Sequence, residues 1–259
     1  MGLQRWMVAI GLALGMVPLS AQARCDLVLV LALDISASID SHEYALQKQG
    51  MARALADPRV VAAIEERGGI WLTAFEWSGT DQTFETLPWV FVDGRATILG
   101  AAERIGAGER PVSNYPTALG YALGQAVITL RRAPETCVRQ IIDIAGDGIN
   151  NAGFPPRSAY GATDMSGITV NALVIEGEQP SPIPYFEAQV LHGPNAFLEI
   201  AASYQDYQQA MTRKLLREIR PASFVMLAPE TMLSLDAWGA AARLPDMGPF
   251  TGWAKGRGG

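Results

Sequence analysis

Apolar residues in this chain gather in short unbroken runs, and between the runs they recur at helical spacing. Asp26–Leu33 reads Asp-Leu-Val-Leu-Val-Leu-Ala-Leu. A run of that length without alternation predicts a central strand buried on both faces. Further strands are predicted at Ile70–Trp77, Leu87–Val92, Val138–Ala145, Ile168–Ile175 and, shorter, Ala196–Ala201. Helical spacing predicts helices from Ser41 to about Leu55, then at Val60–Glu66, Ala96–Ile105, Thr117–Arg132, Ser158–Met165, Tyr185–Leu191 and Tyr204–Ile219. Asp40 and Glu43 have the spacing of a capping box at the start of the first helix. Thr117 stands where the N-cap of the fourth helix is expected. Gly106–Pro116 reads as a loop by its Gly and Pro content. Strands alternating with helices give an α/β fold on a mostly parallel sheet of about six strands, with helices on both faces.

The two ends differ from this pattern. Arg5 precedes a nearly unbroken apolar run from Trp6 to Val17, and Ala21-Gln22-Ala23 follows as a small-x-small cleavage pattern. Residues 1–23 therefore read as a secretory signal peptide, too short in its apolar part for a membrane span. Arg24 before Cys25 argues against lipid attachment. From Pro221 the chain turns rich in Pro and Gly and ends Gly256-Arg257-Gly258-Gly259. Residues 221–259 are expected to form a loosely structured tail, leaving 24–220 as the folded domain. With 49% hydrophobic and 18% charged residues the composition suits a globular core, and a formal net charge of -6 argues against a nucleic-acid groove. The mature chain is expected to be exported, periplasmic or extracellular, with no transmembrane anchor.

Open parallel sheets bind ligands at the carboxyl ends of their strands. The first strand leads into Asp34-Ile35-Ser36-Ala37-Ser38, the fourth stops at Gly146-Asp147-Gly148, and the helix after the long loop begins at Thr117. Asp34, Ser36, Ser38, Thr117 and Asp147 all carry oxygen and no soft ligand. That set suits a hard divalent cation, Mg²⁺ first and Mn²⁺ or Ca²⁺ as alternatives, rather than zinc. In an extended strand Asp34 and Ser38 would lie about 13 Å apart, so the segment must curl to share one ion. Ser36 is expected at a surface loop. Glu76, at the end of the second strand, and Asn150, beyond Asp147, are candidates for supporting the ligands, and Asn151 is a turn former near the rim. Asp143 lies inside the fourth strand, where a buried carboxylate needs a partner, expected on a covering helix.

Asp34-x-Ser36-x-Ser38, Thr117 and Gly-Asp147-Gly resemble the metal-ion-dependent adhesion site of von Willebrand factor A domains. The stretches Phe75–Ser78, Ile142–Asn151, Gly167–Leu173 and Arg213–Ile219 resemble an uncharacterised family of exported bacterial A-domain proteins. The resemblance covers about Cys25 to Ile219. It implies a third strand running antiparallel at an edge. It also implies a metal held by the serines and threonine directly and by the aspartates directly or through water, with one position left for a partner carboxylate. The Asn114-Tyr115-Pro116 approach to Thr117 departs from the Gly-rich approach of many A domains. The expected function is a secreted, metal-dependent protein-binding module whose partner presents an Asp or Glu. Its alternatives are a metal-dependent hydrolase or phosphatase at the same site, and a structural envelope protein. No serine-hydrolase elbow, zinc-protease motif, phosphate loop or dinucleotide fingerprint is present, so the chain is not expected to be an enzyme.

Cys25 precedes Asp34 by nine residues and Cys137 precedes Asp147 by ten. If both aspartates meet at one ion, their strands are adjacent and parallel. The two cysteines then meet at the opposite edge, and a Cys25–Cys137 disulfide is expected in an exported chain.

Overall fold

A computed structural model describes residues 25–177 and 179–220. The expected signal peptide, 1–23, and the expected tail, 221–259, lie outside the described residues.

Six strands form one sheet: β1 (Leu27–Asp34), β2 (Ile70–Ser78), β3 (Gln82–Val92), β4 (Arg139–Gly146), β5 (Ile168–Ile175) and β6 (Leu198–Ala201), in the order β3-β2-β1-β4-β5-β6. β1 lies in the middle, parallel to both β2 and β4. All eight of its residues are buried, as its unbroken apolar run requires. β4, β5 and β6 are parallel, and β3 is the antiparallel edge. The strand pairing thus agrees with the expected α/β architecture.

The helices are α1 (Ser41–Leu55), α2 (Pro58–Glu66), α3 (Arg95–Gly106), α4 (Leu119–Leu130), α5 (Pro156–Ala162), α6 (Ile183–Tyr185, continued by a π turn over Phe186–Val190) and α7 (Tyr207–Ile219). Side chains of β1 alternate between two cores. Leu27, Leu29, Leu31 and Leu33 meet α1, α2, α3 and α7 on one face. Val28, Val30 and Ala32 meet α4, α5 and the π turn on the other. Asp40 closes the expected capping box: its Oδ1 accepts from the His42 and Glu43 amides, and Glu43 Oε2 accepts from the Asp40 amide.

Several local bounds need correction, two of them most. The third strand begins at Gln82, five residues before Leu87, because an edge strand is half exposed and its polar first half carries no apolar run. α5 runs Pro156–Ala162 instead of Ser158–Met165, starting at a proline whose missing N–H costs nothing in the first turn.

Cys25 and Cys137 form a disulfide, with Cα atoms 4.5 Å apart and a separation of 112 positions in sequence. They precede β1 and β4 at the edge opposite the strand ends that carry Asp34 and Asp147. Asp143 of β4 is paired with Lys214 of α7 at 2.7 Å, the covering-helix partner that its burial demands. Among the described residues no helix is long and apolar enough to cross a membrane.

Candidate metal centre

The chain leaves β1 at Asp34 and curls at once. The Ser36 amide donates to Asp34 Oδ1 at 2.7 Å, and the Ile39 amide donates to the Ser36 carbonyl at 3.1 Å. The Ala37 amide is taken by the Tyr115 carbonyl at 2.8 Å. This curl brings the Ser36 and Ser38 hydroxyls within 3.3 Å of each other. Thr117 Oγ1 donates to Ser36 Oγ at 3.1 Å, and Ser38 Oγ donates to Asp147 Oδ1 at 2.8 Å. The five residues singled out in the sequence therefore form one cluster of oxygens above the ends of β1 and β4. Ser36 is fully enclosed rather than on a loop surface, because the curl folds it under Ser38. Asp34, Thr117 and Asp147 are also buried, while Ser38 is exposed and marks the mouth of the cluster.

The protein's own groups compensate Asp34 poorly. Asp34 Oδ2 is buried without a hydrogen-bond partner. Burial, and then the Asp147 charge, push the Asp34 carboxyl well above the usual carboxylate range; hydrogen bonds from Ser36 and the charge of Arg110 oppose this without reversing it. Tyr204 donates its hydroxyl to Asp147 Oδ2 at 3.0 Å. Burial and then the Asp147 and Asp34 charges hold that hydroxyl protonated, so it remains a donor. The glycines on either side of Asp147 leave space for these oxygens. A Cβ at Gly146 would lie 3.1 Å from Asp34 Oδ2, and one at Gly148 would lie 3.3 Å from Thr117 Oγ1. Two carboxylates, one of them with an orphaned buried oxygen, and three hydroxyls, with no nitrogen or sulfur among them, fit a hard divalent cation.

Thr117 is not the N-cap of α4. The helix starts at Leu119 after Ala118, which makes no side-chain cap, so the Thr117 hydroxyl is free to turn toward Ser36. Asn151 fixes it instead. Its Oδ1 accepts from the Thr117 amide at 2.9 Å, and its own amide donates to the Thr117 carbonyl at 2.9 Å. Asn150 Oδ1 accepts from the Gly120 amide at 3.3 Å in the first turn of α4. The Asn114-Tyr115-Pro116 approach is braced through its backbone. The Tyr115 carbonyl accepts from Ala37 and from the Ser78 hydroxyl, and the Pro116 carbonyl accepts from Gly79 at 2.7 Å.

Glu76 sits deeper than expected. β2 places its carboxylate under α1, where Oε1 accepts from the Tyr44 hydroxyl at 2.9 Å and pairs with Lys48 at 2.9 Å. Its link to the cluster runs through the Tyr44 ring, which lies 5.7 Å from the Arg110 guanidinium. Sequence reasoning passed over Arg110, Tyr204 and Gln47. Gln47 Nε2 donates to the Asp34 carbonyl at 2.8 Å, holding the strand end from α1. None of the three has a spacing that marks it, since each acts on atoms far from it in sequence.

Among solved structures, the chain is similar to a von Willebrand factor type A protein from Catenulispora acidiphila (19% identity, TM-score 0.54, covering 75% of this chain and 43% of that one). It is similar to proximal thread matrix protein 1 from the mussel byssus, in a structure whose MIDAS motif is occupied by zinc (17% identity, TM-score 0.55, 74% and 48%). It is also similar to the pilus adhesin SpaC from Lactobacillus rhamnosus GG (13% identity, TM-score 0.54, 76% and 31%). The chain spans less than half the length of each. At these identities the likeness shows the fold, which is that of von Willebrand factor A domains. No curated protein matches the chain. The family described as protein of unknown function (DUF1194) matches residues 24–223, most of the chain, and the chain belongs to that family.

Proposed function

We propose that this protein is a metal-dependent binding module in which Asp34, Ser36, Ser38, Thr117 and Asp147 hold a divalent cation. The observation that carries the reading is the buried, unpartnered Asp34 Oδ2 inside an all-oxygen cluster. Leaving a charged oxygen so enclosed costs several kcal/mol unless a positive partner is supplied. Mg²⁺ is the first choice, with Mn²⁺ and Ca²⁺ as alternatives, because every ligand is a hard oxygen. When bound, the cation supplies a positive centre at the mouth marked by Ser38. An Asp or Glu carboxylate of a partner protein is the group it would draw.

The zinc in the mussel protein's MIDAS motif and the adhesin role of SpaC support a metal-bridged, adhesion-type reading. Export to the periplasm or beyond is supported by the signal-like residues 1–23 and by the Cys25–Cys137 disulfide, which suits an oxidising compartment. The test has two arms. Calorimetric titration of chelator-stripped protein with Mg²⁺, Mn²⁺ and Ca²⁺ should show a single site. Capture from an envelope extract should retain a partner with Mg²⁺ and release it with chelator. A protein that binds none of the three ions would sink the reading.

A further inference from the structure

Arg110 stands in the loop between α3 and α4, and its guanidinium spans the curl that carries Ser36 and Ser38. Nη1 donates to the Ile39 carbonyl at 2.7 Å. Nη2 donates to the Ile35 and Ser36 carbonyls, both at 2.8 Å. Ile35, Ser36 and Ile39 are at most 2% exposed, so water does not readily serve these carbonyls. Buried backbone carbonyls need partners, and here one side chain 71 to 75 residues away supplies three of them. The Tyr44 ring flanks the guanidinium, and Tyr44 is itself held by Glu76 and Lys48.

We infer that Arg110 is a positioning residue for the cation site: it turns the carbonyls of the curl to one side, which leaves the Ser36 and Ser38 hydroxyls on the side of Thr117 and Asp147. This rests on the metal-binding reading of the cluster. A planar fork with donors on separate nitrogens can reach three carbonyls spread over five residues. A lysine ammonium, with its donors at one point, cannot hold the same set. The charge of Arg110 has the opposite effect. A fixed positive group beside a cation site repels the cation, so charge alone would make removal of Arg110 tighten binding. Positioning and charge thus predict changes of opposite sign.

Three proteins separate them: wild type, Arg110→Lys and Arg110→Met, each stripped with chelator and titrated with Mg²⁺ by calorimetry, with thermal melting in chelator alongside. If Arg110 positions the ligands, both variants bind Mg²⁺ roughly 10 to 100 times more weakly, the loss typical when a group supporting metal ligands is removed. The Lys variant fails despite keeping the charge. Wild-type affinity in Arg110→Lys, or affinity in Arg110→Met equal to or tighter than wild type, overturns the inference. So does a lower melting temperature with unchanged affinity, or failure of both variants to fold, since the arginine then supports the fold and not the site. Absence of binding in the wild-type arm marks failure of the metal reading itself, and takes the inference with it.

Discussion

Ser38 Oγ donates to Asp147 Oδ1 at 2.8 Å, joining residues 109 apart in sequence across the ends of β1 and β4. The contact places an exposed hydroxyl and a buried carboxylate at one mouth, with Asp34 enclosed beside them. Asp147 also receives the Tyr204 hydroxyl, whereas Asp34 Oδ2 has no hydrogen-bond partner. The two carboxylates are therefore unequal, and Asp34 bears the larger penalty without a cation.

Asp34→Asn should consequently stabilise the metal-free protein while removing its response to metal. An amide of the same shape keeps the Ser36 amide contact and ends the repulsion from Asp147. The gain should be roughly 1–3 kcal/mol, the scale of an unsatisfied buried polar group. Denaturant unfolding in chelator should show a higher midpoint for the variant, and added Mg²⁺ should shift only wild type. A variant less stable than wild type in chelator would show that Asp34 is already compensated.

Ser36→Ala separates ligand from scaffold. The Ser36 hydroxyl meets the neutral hydroxyls of Thr117 and Ser38 and also favours the charged form of Asp34, so its removal leaves that buried carboxyl less compensated. The loss of stability should be about 1–3 kcal/mol, the range from an ordinary hydrogen bond to one made to a charged group. Mg²⁺ tolerates few departures from octahedral coordination, so calorimetry should show binding abolished or strongly weakened. Unchanged affinity would remove Ser36 from the ligand set.

The fold was legible because β1, β2, β4 and β5 are buried almost throughout and so read as apolar stretches, unbroken in β1 and interrupted in the others only by residues such as Thr73, Glu76, Asp143 and Asn171. The first half of β3 was not, since Gln82–Thr86 is an exposed edge whose polar residues read as loop. The ligand cluster was legible as chemistry, because Asp, Ser and Thr at strand ends share one type of donor atom. Its geometry was not. Thr117 looks like a cap, and only the structure shows that the helix begins two residues later. Arg110 was invisible for a deeper reason. It binds backbone carbonyls, which every residue has, so no pattern of side chains announces the contact.

The disulfide should govern stability without touching the site. It closes a loop spanning 112 residues, for which chain entropy gives up to about 4–5 kcal/mol. It lies one strand length from Asp34, about 26 Å over eight residues. The double variant Cys25→Ser, Cys137→Ser should unfold at a clearly lower denaturant midpoint. Below that midpoint its Mg²⁺ affinity should match wild type within about twofold, since sites this far apart with no shared partners act almost independently. A large loss of affinity in the folded variant would reveal coupling along β1 and β4.

A second buried charge group should make the fold sensitive to pH. Lys214 Nζ pairs with Asp143 at 2.7 Å and with Glu218 at 2.6 Å, so two carboxylates face one ammonium at the β4–α7 contact. Asn171 donates to Glu218 from β5, Arg139 of β4 donates to the Glu218 carbonyl, and the Tyr207 hydroxyl on α7 is buried without a hydrogen-bond partner. Burial first, and then the Glu218 charge, push Asp143 up to about 7, with Lys214 opposing. Unfolded, the same carboxyl titrates near 3.9. Between those values the native state holds more protons than the unfolded state, so the Asp143 contribution to stability falls as pH rises from about 4 to 7. With chelator present, wild type should therefore have a lower urea midpoint at pH 8 than at pH 5. Asp143→Asn keeps a partner for Lys214, leaves one carboxylate for one ammonium, and should show a smaller drop over the same interval. Asp34 titrates in both proteins, so the difference between their curves isolates Asp143. Equal drops in the two would mean that Lys214 already keeps Asp143 ionised, and that the pH response arises elsewhere.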